Sequence, residues 1–184
     1  MSRVLAKRPL VCHPGARAPA VSSCDVKVSL SENQTAIVEY VVIGDIAQLS
    51  LPSPVLAART DNLWTTTCFE LFALSSDGDY CEFNFSPSTC WAAYHFASYR
   101  KGMTPLSMVP PTVSVECSQE RLALRVDLPI APCAAPWPER IGASAVIEAK
   151  DGTKSYWALA HPIGNPDFHH RDCFALTLPA PGAT

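Results

Sequence analysis

A short segment near the middle of the chain places several hydrogen-bonding side chains on one side of an extended backbone. In residues Tyr80–Ser86, apolar and polar side chains alternate, which is typical of a β-strand because neighbouring side chains point to opposite faces. One face then carries core-forming residues, namely Cys81, Phe83 and Phe85. The other face carries hydrogen-bond donors and acceptors, namely Tyr80, Glu82, Asn84 and Ser86. Such a row on a rigid sheet is suited to binding a polar ligand.

Two more carboxylates interrupt apolar runs that read as strands. Glu70 lies inside Cys68–Leu74, and Glu148 lies inside Ala145–Ala149. A carboxylate in a strand is costly unless it is paired or solvated. The candidate partners are Arg59, Arg100 and His161. Two interpretations stay open, a solvated sheet face with structural ion pairs and a concave face that binds a ligand.

Large aromatic residues accompany these strands. Trp64, Trp91 and Trp157 lie in or beside them, and Tyr94 follows Trp91 by three residues. Because three is odd, Trp91 and Tyr94 fall on opposite faces of a strand, so one belongs to the core and the other is free to contact a ligand. An indole beside carboxylates, amides and guanidinium groups suits sugar recognition, since the C–H face of a pyranose stacks on the ring. Trp64 or Trp91 would form that apolar wall.

Three histidines, His161, His169 and His170, lie within ten residues of one another. Imidazoles bind metals and act as general bases. His169 and His170 are adjacent, however, and point apart on an extended chain, and no second spaced pair completes a metal site. A structural role or contact with a ligand remains for them, and no metal ligand is predicted.

Catalytic motifs are scarce. No G-x-S-x-G string supplies a nucleophile elbow, and the eight glycines form no G-x-G-x-x-G. Glu70 and Glu82 are the one pair of carboxylates suited to glycoside hydrolysis, so a hydrolase or lyase stays open as the weaker alternative. The expectation is a binding module without catalytic residues.

Composition restricts the class of protein. The chain has 184 residues, with 14 Lys plus Arg against 17 Asp plus Glu and a net charge of −3. This length suits a single domain, predicted over residues 1–184. Without a basic excess, nucleic-acid binding is not expected. No apolar run reaches the length of a membrane span, and the N-terminus lacks the apolar core of a signal peptide, so a cytoplasmic location is expected. The eight cysteines contain no CxxC pair and are expected mainly as buried thiols.

The elements that must position these residues are strands. Alternation or continuous apolar character marks ten or more short segments, around residues 26–30, 36–43, 68–74, 80–85, 90–96, 121–128, 143–149, 155–160 and 173–178 among others. Asp151-Gly152 predicts a type I′ hairpin. The Pro-rich stretches 105–111 and 129–138 are predicted loops. The pattern predicts an all-β antiparallel sandwich or barrel with little helix.

Several strings together resemble the DOMON-like family, in particular a small bacterial group similar to family 9 carbohydrate-binding modules. They span about residues 13–178 and include Thr67–Phe72, Tyr80–Ser88, Trp91–Tyr94, Tyr99–Met103, Tyr156–Leu159 and Pro166–His170. The resemblance implies one β-sandwich of immunoglobulin-like or jelly-roll type that binds a ligand. Relatives bind sugars or haem, and some clamp a sugar between two tryptophans, to which Trp64 and Trp91 loosely correspond. For haem, Met103 or Met108 with a histidine would supply the axial ligands.

The combined prediction is a non-catalytic module that binds a sugar or sugar derivative and needs no cofactor. Its expected ligand contacts are Trp64, Glu70, Glu82, Asn84, Ser86, Trp91, Arg100, His161 and His169. Two alternatives stay open, a haem-binding electron-transfer domain and a protein-interaction module.

Overall fold

Antiparallel strands account for nearly all regular structure in this chain. The computed structural model describes residues 2–33, 35–129, 138 and 140–178. These residues form twelve strands and three short turns of 3-10 helix, and no α-helix occurs among them. The prediction of an all-β antiparallel fold is therefore confirmed.

The twelve strands are numbered in chain order. The first three are β1 Ser2–Cys12, β2 Val21–Ser31 and β3 Thr35–Gly44. The next four are β4 Cys68–Leu74, β5 Tyr80–Phe85, β6 Trp91–Phe96 and the two-residue β7 Thr104–Pro105. The last five are β8 Thr112–Cys117, β9 Arg121–Pro129, β10 Arg140–Glu148, β11 Lys154–Ala158 and β12 Leu176–Thr177. The 3-10 turns are Ile46–Gln48, Leu63–Thr65 and Arg171–Cys173.

The first strand joins the two halves of the sheet. The strand order is β7-β6-β5-β4-β10-β11-β1-β2-β3-β9-β8, with β12 beside β10. Ser2–Leu10 of β1 pair with β2, whereas Val11 and Cys12 pair with β11. β1 therefore connects the two halves of the sheet, although it lies before residue 13, where the family resemblance begins.

The sheet curls into a half-barrel, so that β3 faces β4 across a main core. The Tyr40 ring on β3 lies 5.1 Å from the Phe69 ring on β4. Its hydroxyl donates a 2.6 Å hydrogen bond to the Glu70 backbone carbonyl. The strands follow one continuous hydrogen-bonded path, and the predicted sandwich is not confirmed.

A second apolar cluster covers the opposite face of β4–β6 and β10, called the outer face below. Its aromatic members are Phe72, Tyr80, Tyr94, Phe96, Phe168 and Phe174. The last two come from the segment before β12, which lies over the outer face. Gly142 on β10 permits this contact, since a Cβ there would lie 2.8 Å from the Phe174 ring. The segment therefore packs directly against the β10 backbone at Gly142.

Two local predictions are wrong. The predicted strand at 173–178 is mostly irregular, because Arg171–Cys173 forms a 3-10 turn and only Leu176–Thr177 pair with β10. The hairpin at Asp151-Gly152 exists, but its turn is not type I′. That type requires positive φ at both central residues, whereas Gly152 has a φ of +85° and Asp151 does not have positive φ.

At the residues that it describes, the structure agrees with the predicted loops and free thiols. Residues 106–111 lack regular structure, although Pro105 pairs in β7. Most of the predicted loop 129–138, including Cys133, lies outside the described residues. The seven described cysteines are free thiols. In the described part of the chain, no helix has the length and apolar character needed to cross a membrane.

Candidate ligand-binding site

A cavity of about 810 Å³ opens on the outer face of the sheet. Its base is formed by β4, β5, β6 and β10, and its walls by the loops before β4, after β6 and before β12. It is lined by Asp61, Asn62, Trp64, Glu70, Glu82, Tyr94, Phe96, Arg100, Met103, Pro105, Val146, Lys154, Tyr156, Pro166, Phe168 and His169. Five of these residues, Trp64, Glu70, Glu82, Arg100 and His169, are predicted ligand contacts.

Two carboxyl groups form the floor of the cavity. Glu70 on β4 and Glu82 on β5 are only 4% and 6% exposed. Ser144 Oγ donates to Glu70 Oε2 at 3.2 Å, and Asn84 Nδ2 donates to Glu82 Oε1 at 2.7 Å. Each carboxyl is therefore held by a neutral neighbour on the sheet.

Burial governs the protonation of this pair. Removal from water, then repulsion from Glu82, raise the pKa of Glu70 from its ordinary 4.5 to about 8. Burial also raises the pKa of Glu82, against the Asn84 hydrogen bond and the positive charge of Arg100. Like-charged groups that share a dry site resist ionising together. The floor consequently retains a proton near neutral pH.

His169 stands beside the floor as a neutral hydrogen-bond donor. Its ring packs edge-on against Phe72 and Phe96, with centroids 5.3 and 5.1 Å away. Burial, and then the charge of Arg100, lower its pKa to about 4. Its Nε2 lies 3.7 Å from Glu82 Oε2.

The proton position on His169 follows from Tyr80. The Arg100 backbone N–H donates to the Tyr80 hydroxyl at 3.2 Å. That hydroxyl lies 2.7 Å from His169 Nδ1, so its own proton is directed to Nδ1. When the Tyr80 hydroxyl donates to Nδ1, the imidazole proton resides on Nε2, beside Glu82. A donor and an acceptor thus stand side by side at the floor.

Arg100 is committed to a wall of the cavity. Its Nε and Nη2 donate to Asp167 Oδ1 at 3.2 and 2.7 Å. The Tyr99 hydroxyl donates to the other oxygen of Asp167. Burial would raise the pKa of Asp167, but the Tyr99 and Arg100 hydrogen bonds together hold it below its ordinary value. Arg100, a candidate partner of the strand glutamates, thus forms its ion pair with Asp167 instead.

Trp64 and Tyr94 are two of the aromatic residues that line the cavity. Trp64 lies in the 3-10 turn before β4, and 53% of its surface is exposed. The Tyr94 hydroxyl donates to Asp61 Oδ1 at 2.6 Å, and the Arg59 guanidinium lies 5.3 Å from the Tyr94 ring centroid. Arg59 also pairs with Asp61 at 2.9 Å, and so it too is not a partner of a strand glutamate.

Four predicted contacts do not line the cavity. Trp91 faces the main core on the other side of β6 and is 6% exposed, so it cannot form the wall. His161 is not among the residues that line the cavity. Its Nε2 instead forms a 2.8 Å hydrogen bond with the Val11 carbonyl. Ser86 Oγ accepts from the Ser88 backbone N–H at 3.1 Å in the turn after β5. Asn84 does not line the cavity, and its amide instead donates to Glu82 Oε1.

Sequence reasoning missed several lining residues. Phe96 is two residues after Tyr94 and shares its face, so alternation alone indicates it. Phe168, by contrast, comes from a loop without periodicity and carries no such signal. Among the described residues, no group of three or more His, Cys, Asp or Glu side chains is arranged to hold a metal ion.

No known protein family model matches the chain, and no curated protein matches it at a significant level.

Proposed function

We propose that this chain is a non-catalytic binding module and that its cavity takes a sugar or sugar derivative. The observation that carries the proposal is the pairing of a buried polar floor with an exposed indole in one cavity of about 810 Å³. Small-molecule sites have volumes of roughly 300–1,000 Å³ and combine apolar walls with a few placed polar groups.

The floor suits a hydroxyl-bearing ligand. A hydroxyl both donates and accepts hydrogen bonds. His169 Nε2 offers the proton, and Glu82 Oε2, 3.7 Å away, offers the acceptor. Trp64 at the cavity edge provides a flat apolar surface for the C–H face of a pyranose.

The placement of the carboxyls favours binding over glycoside hydrolysis. Glu70 pairs in register with Asn84, so Glu82 lies one diagonal step away on the neighbouring strand. Both carboxyls therefore approach a ligand from the same side. Hydrolysis requires two carboxyls that flank the scissile bond.

Haem, the alternative that the family resemblance implies, fits this cavity poorly. Met103 and His169 both line it, whereas Met108 packs against the main core. An axial histidine must direct a free nitrogen at the iron. His169 Nδ1 is bonded to Tyr80 and its Nε2 faces Glu82. A porphyrin would also cover two buried carboxyls, so no step through haem is derived.

The proposal includes the finer assignments that accompany it. These are membership of the DOMON-like family, a sandwich of immunoglobulin-like or jelly-roll type, and a cytoplasmic location. The absence of an α-helix among the described residues and the antiparallel pairing of all twelve named strands support the first two.

The test is a thermal-shift screen of purified protein against neutral sugars, amino sugars, nucleotide sugars and hemin, followed by calorimetric titration of any hit. A ligand at 100 times its Kd adds about 2.7 kcal/mol to stability, which shifts Tm by several degrees. Removing the indole by Trp64→Ala should weaken sugar binding about tenfold, which is ~1.4 kcal/mol.

The control variant is Leu56→Ala, at a site that is 92% exposed and outside the cavity lining. It should bind like the natural chain. Absence of a shift with every sugar class contradicts the proposal and leaves a protein partner as the alternative. A shift with hemin alone contradicts it in favour of haem.

A further inference from the structure

We propose, resting on the proposed function, that the ligand carries a protonated primary amine seated between the Glu70 and Glu82 carboxyls. The proposed ligands are then amino sugars with a free amine, a narrower class than sugars in general. The charges on the cavity floor and the hydrogen bonds that its oxygens can still accept favour such a ligand.

The floor carboxyls lack a cationic partner. Both are more than nine-tenths buried. Their side-chain hydrogen bonds come from neutral groups, the Ser144 hydroxyl and the Asn84 amide. Among the described residues, no Lys or Arg nitrogen lies within 4.0 Å of either carboxylate, and His169 alone comes near.

The two cations that line the cavity are already engaged. Arg100 donates twice to Asp167. Lys154 Nζ donates to the Thr65 backbone carbonyl on the opposite wall. Neither forms an ion pair with a floor carboxyl, so a ligand cation can take that position.

An ammonium group pairs with the two floor carboxyls better than a hydroxyl does. It has three N–H donors and no lone pair, and so it can serve two carboxyl groups at once. A hydroxyl has a single proton and can donate to one carboxyl only, so the other carboxyl must keep the proton that the floor retains near neutral pH. Buried carboxylates are costly when unpaired, and a cationic ligand removes that cost on binding, in a site where charge pairs are weakly screened.

The unused oxygens are on the cavity side. Ser144 occupies Glu70 Oε2 and Asn84 occupies Glu82 Oε1. Glu70 Oε1 has no hydrogen-bond partner among the described residues. It is also not one of the side-chain atoms that are fully buried without a partner, so it is exposed at the cavity surface. Glu82 Oε2 faces His169 at 3.7 Å, longer than a hydrogen bond. These two oxygens are the acceptors assigned to the amine.

The experiment is a calorimetric titration of the full chain at pH 7 with matched triplets, each containing a neutral hexose, its 2-amino derivative and its N-acetyl derivative. The gluco, galacto and manno series are all used. N-acetylation removes the charge and adds bulk at the same atom. We expect one 2-amino sugar to bind at least tenfold more tightly than its two partners.

Glu70→Gln and Glu82→Gln keep the shape of the floor and remove a carboxylate. Each should reduce the affinity for the amino sugar at least tenfold, and each should weaken the amino sugar more than the neutral hexose. Glu116→Gln, at an exposed residue of β8, is the matched control and should change neither affinity.

The outcomes separate the two proposals. Equal or tighter binding of the neutral or N-acetyl sugar overturns the amine assignment and leaves sugar binding standing. No binding by any member at tens of millimolar overturns both. Because the triplet comparison uses the natural chain, it decides the question even if a floor variant does not fold.

Discussion

The Tyr80 hydroxyl lies 2.7 Å from Nδ1 of His169, 89 residues away along the chain, and this contact couples the Tyr80 hydroxyl to the position of the imidazole proton. Tyr80 receives the Arg100 backbone N–H, and its own proton is available for donation to Nδ1. The buried, neutral ring then presents Nε2–H to the cavity beside Glu82. The ligand-facing donor is thus set by a residue that the ligand does not touch.

Tyr80→Phe should separate positioning from packing. The phenyl ring keeps the stack on Phe96, whose ring lies 4.8 Å away, and only the hydroxyl is lost. We expect a loss of stability of about 1 kcal/mol, as for a typical hydrogen bond. Sugar affinity should fall about tenfold, because the Nδ1–H tautomer becomes accessible and Nε2 then stops donating.

Nitrogen NMR of His169 provides the readout that a purely structural role would not alter. In the natural chain, the proton should be found on Nε2. In the Tyr80→Phe variant, a mixture of tautomers is expected. A variant that keeps full Nε2 protonation together with weakened binding would contradict this positioning role.

The floor carboxyls should make the protein less stable as the pH rises through neutrality. The pKa of Glu70 is about 8 in the folded chain and ordinarily 4.5. Between these values the folded state binds more protons than the unfolded state, so the free energy of unfolding falls as pH increases. The slope for one such group is at most about 1.4 kcal/mol per pH unit.

His169 acts in the opposite direction and in a lower range. Its pKa is about 4 when folded and ordinarily 6.5, so stability is lost as the pH falls from 6.5 towards 4. Between about pH 6.5 and 8, the raised pKa of the glutamates alone should govern. Urea unfolding under reducing conditions should show declining stability there, and Glu70→Gln should flatten the decline. An unchanged slope in that variant would contradict the assignment.

Gly142→Ala should loosen the segment that carries Phe168 and His169. The added Cβ would lie 2.8 Å from the Phe174 ring and 3.1 Å from the Cys173 carbonyl, so the segment must move. Overpacking of this kind costs about 1–3 kcal/mol. The double variant with Phe174→Leu should recover part of that loss in a mutant cycle. Additive losses would mean that the two residues do not interact.

The periodicity of strands accounts for what the sequence predicts well. In β5, strict alternation places Glu82 on one face and Phe83 and Phe85 on the other, and the structure shows that division. Alternation also places Trp91 and Tyr94 on opposite faces. It does not say which face is which, because both sides of β6 are buried and hydropathy cannot distinguish them.

Contacts between distant segments account for the rest. Arg100 pairs with Asp167, 67 residues away, and no local pattern indicates that choice. The run around Phe174 has the composition of a strand, but tertiary packing uses it to cover the outer face instead. β1 was not predicted because most of its side chains are exposed and several are charged, which hides its alternation.

The two tryptophans that the family resemblance treats as equivalent should therefore behave in opposite ways. Trp91→Ala empties a volume in the main core and should destabilise the protein by about 3–5 kcal/mol. Trp64→Ala removes a side chain that is already half exposed and should cost less than about 1 kcal/mol. Urea unfolding measures both, and titration with the bound sugar gives the complementary result, since Trp64→Ala weakens binding in a protein of nearly natural stability. Comparable stability losses in the two variants would contradict the assignment of Trp91 to the core and of Trp64 to the cavity wall.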